Sequence, residues 1–274
     1  CINHCNSKNS IMPKKLVILG GAESGIGCAV LGVKQGFEVF VSDAGAISLD
    51  VQNELKALGI LFEQGGHDLK TILQASLVMK SPGIPEKIDL IKEIRAANIK
   101  IVSEIEFASQ YTNATLIGIT GSNGKTTTTL LTHHLLKQSG LNVGVAGNIG
   151  YSFARQVAET NREVYVLEIS SFQLDDIYEF QPEVSVITNI TPDHLDRYEN
   201  NFSKYVRSKM RIIKNQSNKP FLVFNSEDPV LVKALNTSTS EVNKISFAFE
   251  KPEKDGTYTS DDHIIFQHDN SNTM

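Results

Sequence analysis

A glycine-rich loop between an apolar strand and a helix constrains this sequence more than any other feature. The run TLIGI (115–119) predicts a buried strand, and a helical pattern over Lys125–Gln138 follows the loop TGSNGKT (120–126). In such a loop the backbone N–H groups converge on phosphate oxygens, and the helix N-terminus adds positive potential. The alternative is a glycine-rich turn with a merely solvated lysine, but the flanking strand and helix favour a phosphate site.

The loop is a variant of the general phosphate-binding pattern, because Gly118 lies one residue too far from Gly124. In this context the Lys125 ammonium can reach the β- and γ-phosphates of a nucleotide, and the Thr126 hydroxyl can coordinate Mg²⁺. The residues expected to contact ATP are Gly121, Ser122, Asn123, Gly124, Lys125, Thr126 and Thr127.

Strand and helix patterns alternate along the chain and predict an α/β fold with two three-layer domains. Residues 13–112 are expected to form a Rossmann-like domain, and residues 113–274 an incomplete P-loop ATPase domain with a mainly parallel sheet. After Ser238 the composition turns polar, with one short apolar run, His263–Phe266. We expect residues 1–12 to be a disordered leader and a C-terminal domain to be absent.

Composition excludes several classes of function. The net charge of −5 disfavours a nucleic-acid partner, and no apolar run is long enough to cross a membrane. Cys1, His4 and Cys5 suggest a metal knuckle only weakly, because no second ligand pair follows. Cys28 falls in an apolar helical pattern and is expected in the core. This cysteine usage suits a reducing compartment, so we expect a cytoplasmic location. We also expect a monomer.

Two further strand ends carry polar side chains. Glu168 ends the strand Val164–Leu167 and is either a Mg²⁺ ligand or a carboxylate that caps the following turn. Asp193, His194 and Asp196 follow the strand Val184–Ile187. Taken alone, this second stretch reads as a helix start with Pro192 at the first helical position. Because parallel strands present their carboxyl ends at one edge, we expect both stretches beside the phosphate loop.

Short motifs in a fixed order resemble those of the Mur ligase family. They are GITGSNGKT (118–126), GNIG (147–150), LEISSFQL (167–174), NITPDHLDRY (189–198) and SKMRI (208–212). The segments SSFQL (170–174) and SEIEF (103–107) are similar to the branch that adds D-glutamate. The resemblance spans about residues 14–228, where each motif is short but the order is specific.

The resemblance implies an ATP-dependent ligase of peptidoglycan precursor synthesis that joins D-glutamate to UDP-N-acetylmuramoyl-L-alanine through an acyl phosphate. It implies two Mg²⁺ ions, held by Thr126, Glu168, His194 and a carbamylated Lys209. Lys125, Lys209 and His194 would be catalytic, while Asn148 and Gln173 would contact the substrate. By pattern alone, Lys209 is one of several basic residues on an exposed helix face.

The first domain begins with the turn GGAESG (20–25), and Asp43 ends the second strand. This nearly spells a dinucleotide fingerprint, but Ala22 replaces the middle glycine. By resemblance the domain binds UDP, with Ser24 and Gly25 on the diphosphate side and Asp43 and Gly83 near the uracil. The chain as given is expected to be catalytically inactive. The open alternatives are an NAD-dependent oxidoreductase and a non-catalytic nucleotide-binding module.

Overall fold

The computed structural model describes residues 14–215, 220–252, 255–268 and 271–273, and these form two α/β domains, each built on its own sheet. The predicted fold class is therefore confirmed. The segment 1–12, expected to be a disordered leader, lies outside the described residues, and the boundary at residue 112 stays a prediction. In the described ranges no helix has the length and apolar character that crossing a membrane requires.

The first domain is a parallel sheet with apolar side chains on both faces. Its strands are ordered β3-β2-β1-β4-β5, and alternate residues of β1 enter two different apolar clusters, which covers both faces. The elements in chain order are β1 (Lys15–Leu19), α1 (Glu23–Lys34), β2 (Glu38–Asp43), α2 (Leu49–Ala57), β3 (Leu61–Gln64), α3 (Leu69–Ile72), β4 (Leu77–Lys80), α4 (Asp89–Ala96), β5 (Ile101–Val102) and α5 (Glu104–Ser109).

The second domain has a nine-stranded sheet within the described residues, in the order β14-β13-β12-β11-β10-β9-β6-β8-β7. Pairing is parallel from β7 to β12 and antiparallel from β12 to β14. Its first elements are β6 (Thr115–Thr120), α6 (Lys125–Gln138), β7 (Val143–Gly147), α7 (Phe153–Glu159), β8 (Val164–Glu168), α8 (Ser171–Asp175), β9 (Val184–Ile187) and a 3₁₀ turn, Leu195–Tyr198. The remaining elements are α9 (Phe202–Met210), a 3₁₀ turn (Arg211–Ile213), β10 (Phe221–Asn225), α10 (Pro229–Thr237), β11 (Asn243–Phe247), β12 (Gly256–Ser260), β13 (His263–His268) and β14 (Ser271–Thr273).

The strand order brings the predicted motifs to one edge. Strands β9, β6, β8 and β7 are neighbours and run parallel, so their carboxyl ends lie side by side. The phosphate loop follows β6, Glu168 ends β8, the segment 189–198 follows β9, and the turn GNIG follows β7. The three-dimensional fold thus collects motifs that lie up to 80 residues apart in the sequence.

Three local expectations differ from the structure. The sequence pattern over residues 202–214 predicts one long helix, but α9 ends at Met210 and a 3₁₀ turn follows it. No helix begins at Pro192, because the 3₁₀ turn starts only at Leu195, after a left-handed His194 with φ of 49°. The polar stretch after Ser238 forms four strands, of which the sequence signalled only the apolar run in β13. The other three strands, β11, β12 and β14, consist mostly of polar residues and therefore leave a weak hydrophobic pattern.

Helices α1, α5 and α7 pack together where the two domains meet, and one continuous apolar cluster crosses this boundary. The approach is close: a Cβ added at Gly27 would lie 1.8 Å from the Ser152 hydroxyl oxygen. The buried Glu104 carboxylate on α5 accepts hydrogen bonds from the Ser152 hydroxyl (2.6 Å) and the Ala154 amide (3.1 Å). The domains are therefore joined by both apolar packing and buried polar contacts.

Candidate functional site

The phosphate loop is pinned to the end of β9. A Cβ added at Gly121, whose φ is +149°, would lie 1.9 Å from the Thr188 hydroxyl, so only glycine fits there. The Thr188 hydroxyl donates to the Asn123 carbonyl at 2.7 Å, and the Asn123 amide donates to the Asn189 side chain at 2.9 Å. The loop is thereby held rigidly at the N-terminus of α6, where an anion is stabilised.

Thr126 and Glu168 come together as the sequence predicts. The Thr126 hydroxyl donates to the Glu168 carboxylate at 2.7 Å, and the Asn148 side-chain amide donates to its other oxygen at 3.1 Å. The alternative role of Glu168, capping the next turn, is wrong, because Ser170 caps α8 itself. Glu168 is 2% exposed, and its hydrogen bond with Thr126 connects it to the phosphate loop.

This donor set suits magnesium held jointly with a nucleotide. Among the described residues, no three His, Cys, Asp or Glu side chains are grouped to hold a metal by themselves. Mg²⁺ needs no such cage, since it is usually bound by one or two protein oxygens together with phosphates and water. The Thr126 hydroxyl and the Glu168 carboxylate supply oxygens of this kind next to the loop.

Lys209 is buried rather than exposed, which corrects the expectation from its helical pattern. It is 2% exposed, and its ammonium donates to the Gly121 carbonyl at 2.7 Å. Burial, reinforced by the charge of Lys125, lowers the pKa of Lys209 to about 7, although Asp193 and Asp175 act in the opposite direction. Lys209 therefore has a substantial neutral fraction near pH 7 and sits directly against the phosphate loop.

Lys125 also folds back onto the loop. Its ammonium donates to the carbonyls of Gly121 and Ser122, each at 2.9 Å. The Gly121 carbonyl thus accepts from both lysines, so two lysine amino groups converge on one point of the loop. Such convergence favours an anionic ligand at this position.

His194 lies next to the phosphate loop but does not contact Glu168. The segment that carries it is tied to the loop, since the Ser122 hydroxyl donates to the Thr191 carbonyl at 2.9 Å. Its imidazole is 54% exposed, lies 3.5 Å from the Asp193 carboxylate, and packs against the Phe172 ring at 5.3 Å between centroids. The structure therefore places His194 at the rim of the site, and Asp196 is exposed.

Gln173 is buried and serves first in a capping box. Its side-chain oxygen accepts from the Ser170 amide at 3.0 Å and from the Ser170 hydroxyl at 3.1 Å. This arrangement fixes the start of α8 directly after Glu168. Contact of Gln173 or Asn148 with a substrate stays a prediction.

In the first domain, Asp43 holds the glycine-rich turn. Its two oxygens accept from the Gly21 amide at 2.6 Å and from the Gly45 amide at 2.7 Å. Ser24 and Gly25 lie in the first turn of α1, directly after this loop. The turn is thereby shaped at the carboxyl edge of the sheet, where ligands of open α/β sheets bind.

The turn Ser81–Ile84 reaches the second domain. The Gly83 carbonyl accepts from the Arg197 guanidinium at 3.1 Å. The Ser81 hydroxyl is buried and has no partner among the described residues. From the residues alone, the sequence indicates only a turn here, and Gly83 entered through the family resemblance. The sequence analysis missed Arg197, and it missed Tyr205, whose hydroxyl lies 3.0 Å from that of Ser122. No sequence pattern signals such contacts between distant segments.

Comparison with protein families agrees with this geometry. A model of the Mur ligase MurD-like N-terminal domain matches residues 14–103, and a model of the Mur ligase middle domain matches residues 119–273. The chain belongs to the Mur ligase family. The NAD-dependent alternative accounts for neither match.

Individual relatives of this Mur ligase chain share one name. It is 46% identical over 254 residues to the UDP-N-acetylmuramoylalanine--D-glutamate ligase of Christiangramia forsetii, covering 93% of this chain and 57% of the relative. It is 53% identical over 222 residues to the enzyme of that name from Cytophaga hutchinsonii, covering 80% of this chain and 49% of the relative. The chain thus spans about half the length of the curated relatives it matches.

Solved structures share the fold of this Mur ligase chain at low identity. The UDP-N-acetylmuramate:L-alanyl-gamma-D-glutamyl-meso-diaminopimelate ligase from Neisseria meningitides has a TM-score of 0.63 at 18% identity, covering 95% of this chain and 86% of that one. A murein peptide ligase from Psychrobacter arcticus has a TM-score of 0.57 at 16% identity, covering 94% and 59%. At such identities the likeness concerns the fold alone.

Proposed function

We propose that this chain is the UDP-substrate- and ATP-binding part of a ligase that adds D-glutamate to UDP-N-acetylmuramoyl-L-alanine. The observation that carries this proposal is the convergence of the phosphate loop, Glu168 and the segment 189–198 at neighbouring strand ends. The names of the relatives supply the substrate class. The reaction transfers the γ-phosphoryl group of ATP to the substrate carboxylate, and the amine of D-glutamate then displaces phosphate to form the amide.

The residues of the loop bind and orient the nucleotide in this proposal. The amides of Ser122 and Asn123 already donate to Asn189, so the backbone N–H groups of residues 124–126 receive the phosphates at the start of α6. The Lys125 ammonium offsets charge on the transferred phosphoryl group. Thr126 and Glu168 would hold one magnesium ion, and His194 with a modified Lys209 the other. When bound, these ions neutralise repulsion between the substrate carboxylate and the γ-phosphate.

Carbamylation of Lys209, which the family resemblance implies, is supported by the surroundings of this residue. A neutral amine attacks the carbon of CO₂, loses one proton, and becomes an N-carboxylate, which turns a cation into an oxygen ligand. The amine must be neutral for this attack, and the pKa of about 7 supplies that form near neutral pH. The burial of Lys209 against the loop, at 2.7 Å from the Gly121 carbonyl, supports this modification.

The remaining candidate contacts concern the UDP-substrate. Ser24 and Gly25 are proposed for the diphosphate, Asp43 and Gly83 for the uracil side, and Asn148 and Gln173 for the muramoyl-alanine end. The position of Asp43 under the glycine-rich turn supports a role in shaping this pocket.

Two experiments test the proposal. In the full-length protein, phosphate release from ATP should require both UDP-N-acetylmuramoyl-L-alanine and D-glutamate, and Lys125→Ala should abolish it. In the present chain, UDP-N-acetylmuramoyl-L-alanine should raise the unfolding midpoint, since a ligand at 100 times its dissociation constant adds about 2.7 kcal/mol. A flat midpoint with millimolar ligand, together with tight binding of a nicotinamide nucleotide, would contradict the proposal.

A further inference from the structure

One arginine side chain joins the turn Ser81–Ile84 of the first domain to the segment that carries His194. The Arg197 guanidinium donates to the carbonyl oxygens of Pro82 at 3.0 Å, Gly83 at 3.1 Å and Ile84 at 3.3 Å. Arg197 belongs to the 3₁₀ turn Leu195–Tyr198, which begins one residue after His194. The bridge therefore crosses from the predicted UDP-substrate pocket to the predicted metal site.

The same guanidinium is also stacked on an aromatic ring. Its central carbon lies 4.3 Å from the centroid of Phe172, and the imidazole of His194 packs against the same ring at 5.3 Å. Phe172 is fixed in turn, because it belongs to α8, whose start is held by the capping box directly after Glu168. Arg197 and His194 thus share one support, and displacement of either disturbs the other.

The turn Ser81–Ile84 carries a buried hydroxyl that a ligand can contact. The Ser81 hydroxyl is buried and unpartnered among the described residues, and it packs on Gly20 of the glycine-rich turn, where an added Cβ would approach it to 2.5 Å. The other end of the turn is anchored, since the Lys80 ammonium donates to the Ile84 carbonyl at 3.3 Å and pairs with Asp176 at 3.0 Å. A buried hydroxyl without a partner is unfavourable, and a ligand can satisfy it.

We propose that Arg197 is a positioning residue that couples binding of the UDP-substrate at the turn Ser81–Ile84 to the placement of the His194 imidazole. A planar guanidinium with five donors can bond three carbonyl oxygens and stack on one aromatic ring at the same time. A lysine has a single compact ammonium and cannot serve both sides. This coupling rests on the proposed function, because it gives the UDP-substrate influence over a metal-binding group.

Kinetics of the full-length enzyme test the coupling. Arg197→Ala and Arg197→Lys should each raise the KM for UDP-N-acetylmuramoyl-L-alanine, and also the Mg²⁺ concentration for half-maximal rate, by about tenfold, as expected for losing charge-assisted hydrogen bonds. The matched control is Arg207→Ala on α9, an exposed arginine, which should change neither. In a His194→Ala background, Arg197→Ala should have almost no further effect on the Mg²⁺ dependence, because the two act through one group.

A measurement without turnover separates this inference from the proposed function. In the wild-type chain, UDP-N-acetylmuramoyl-L-alanine should shift the imidazole C–H NMR signal of His194, identified with His194→Ala. The shift should disappear in Arg197→Lys and in Phe172→Leu while the ligand still raises the unfolding midpoint at high concentration. Phe172→Leu keeps an apolar side chain at this position and removes only the aromatic face, so it reports even if the arginine variants fold poorly.

The possible results distinguish failure of the coupling from failure of the proposed function. Ligand binding that raises the midpoint without moving the wild-type His194 signal overturns the coupling alone. An unchanged His194 shift and KM in Arg197→Lys overturn it as well. A shift that depends on Arg197, in a full-length protein that forms no amide, supports the coupling and contradicts the ligase.

Discussion

At the scale of single residues, the site depends on side chains whose behaviour is set by burial. Lys209 is the clearest case, because a lysine at 2% exposure must keep an ammonium out of water. Its pKa is lowered to about 7, so its amine is partly neutral near neutral pH. Sequence pattern placed it on an exposed face, since residues 202–210 carry other basic side chains that are solvated.

The shifted pKa predicts a pH-dependent stability. Between pH 10.5 and about 7 the unfolded chain holds a proton on Lys209 that the native chain does not, so the free energy of unfolding falls as the pH is lowered across this window. The slope is at most about 1.4 kcal/mol per pH unit. Lys209→Met removes the effect, and its stability advantage over wild type should grow from pH 9 to pH 7 in CO₂-free urea titrations. Lys204→Met, at a more exposed lysine, is the control, and an advantage of constant size would contradict the prediction.

The surroundings of Gly121 predict a second effect on stability at the scale of single residues. Gly121→Ala adds a Cβ 1.9 Å from the Thr188 hydroxyl at a positive φ, so it combines backbone strain with a steric clash. Gly140→Ala is a matched control, because its φ of +92° imposes similar strain but nothing lies within 4 Å. In urea unfolding we expect about 1 kcal/mol for Gly140→Ala and roughly 3 kcal/mol for Gly121→Ala. Equal losses would show that the loop yields to the clash.

At the scale of elements, the segment 189–198 has little regular structure and depends on helices around it. Asp228 caps α10 through the amides of Val230 (2.9 Å) and Leu231 (3.0 Å), while its second oxygen accepts from the Ile190 amide at 2.6 Å. One helix cap therefore also fixes the start of the segment that carries His194. A serine at the start of α2, Ser48, caps only its own helix.

This double role predicts an unequal response of two caps. Ser48→Ala should lower the free energy of unfolding by about 1 kcal/mol, the usual effect of losing a cap. Asp228→Ala should lower it by roughly 2–4 kcal/mol, because a buried charge-assisted hydrogen bond to Ile190 is lost as well. Urea denaturation measures both. Similar values for the two variants would mean that the Ile190 contact contributes nothing to stability.

At the scale of the whole molecule, the connector between the sheets carries two buried carboxylates. Glu106 accepts from the amides of Tyr178 (3.0 Å), Glu179 (3.1 Å) and Phe180 (2.9 Å), and it is fully buried. Glu104, also buried, holds the start of α7. Burial raises the pKa of Glu104. The segment SEIEF, which resembled one branch of the family, is thus the polar joint between the domains.

The joint predicts how the domains unfold. Glu106→Gln removes the charge that strengthens the hydrogen bonds from the amides of residues 178–180. It also turns an NH₂ group toward the Glu179 amide, so these contacts weaken and the domains are loosened. We expect wild type to unfold in one calorimetric transition and Glu106→Gln to unfold at a lower midpoint with a broadened or split transition. Glu179→Gln, at a side chain that is 75% exposed, is the control and should match wild type. One sharp transition at the wild-type midpoint would contradict the prediction.

The sequence by itself determined the local features. The strand–loop–helix around residues 115–138 and the oxygen-bearing side chains at strand ends follow from periodicity, glycine placement and residue chemistry, which act over a few neighbouring residues. The contact between Thr126 and Glu168 was predictable for the same reason, since parallel strands bring their carboxyl ends to one edge.

Only the tertiary structure decided what lies between elements. The burial of Lys209, the anchoring of residues 189–198 by Asp228, and the bridge from Arg197 to Gly83 depend on the packing of segments far apart in sequence. A side chain's solvation and hydrogen-bond partners are set by those neighbours, whose identity no local pattern specifies. Short sequence motifs therefore indicate which chemical groups the chain offers. The packing of the folded chain sets the protonation and the placement of those groups.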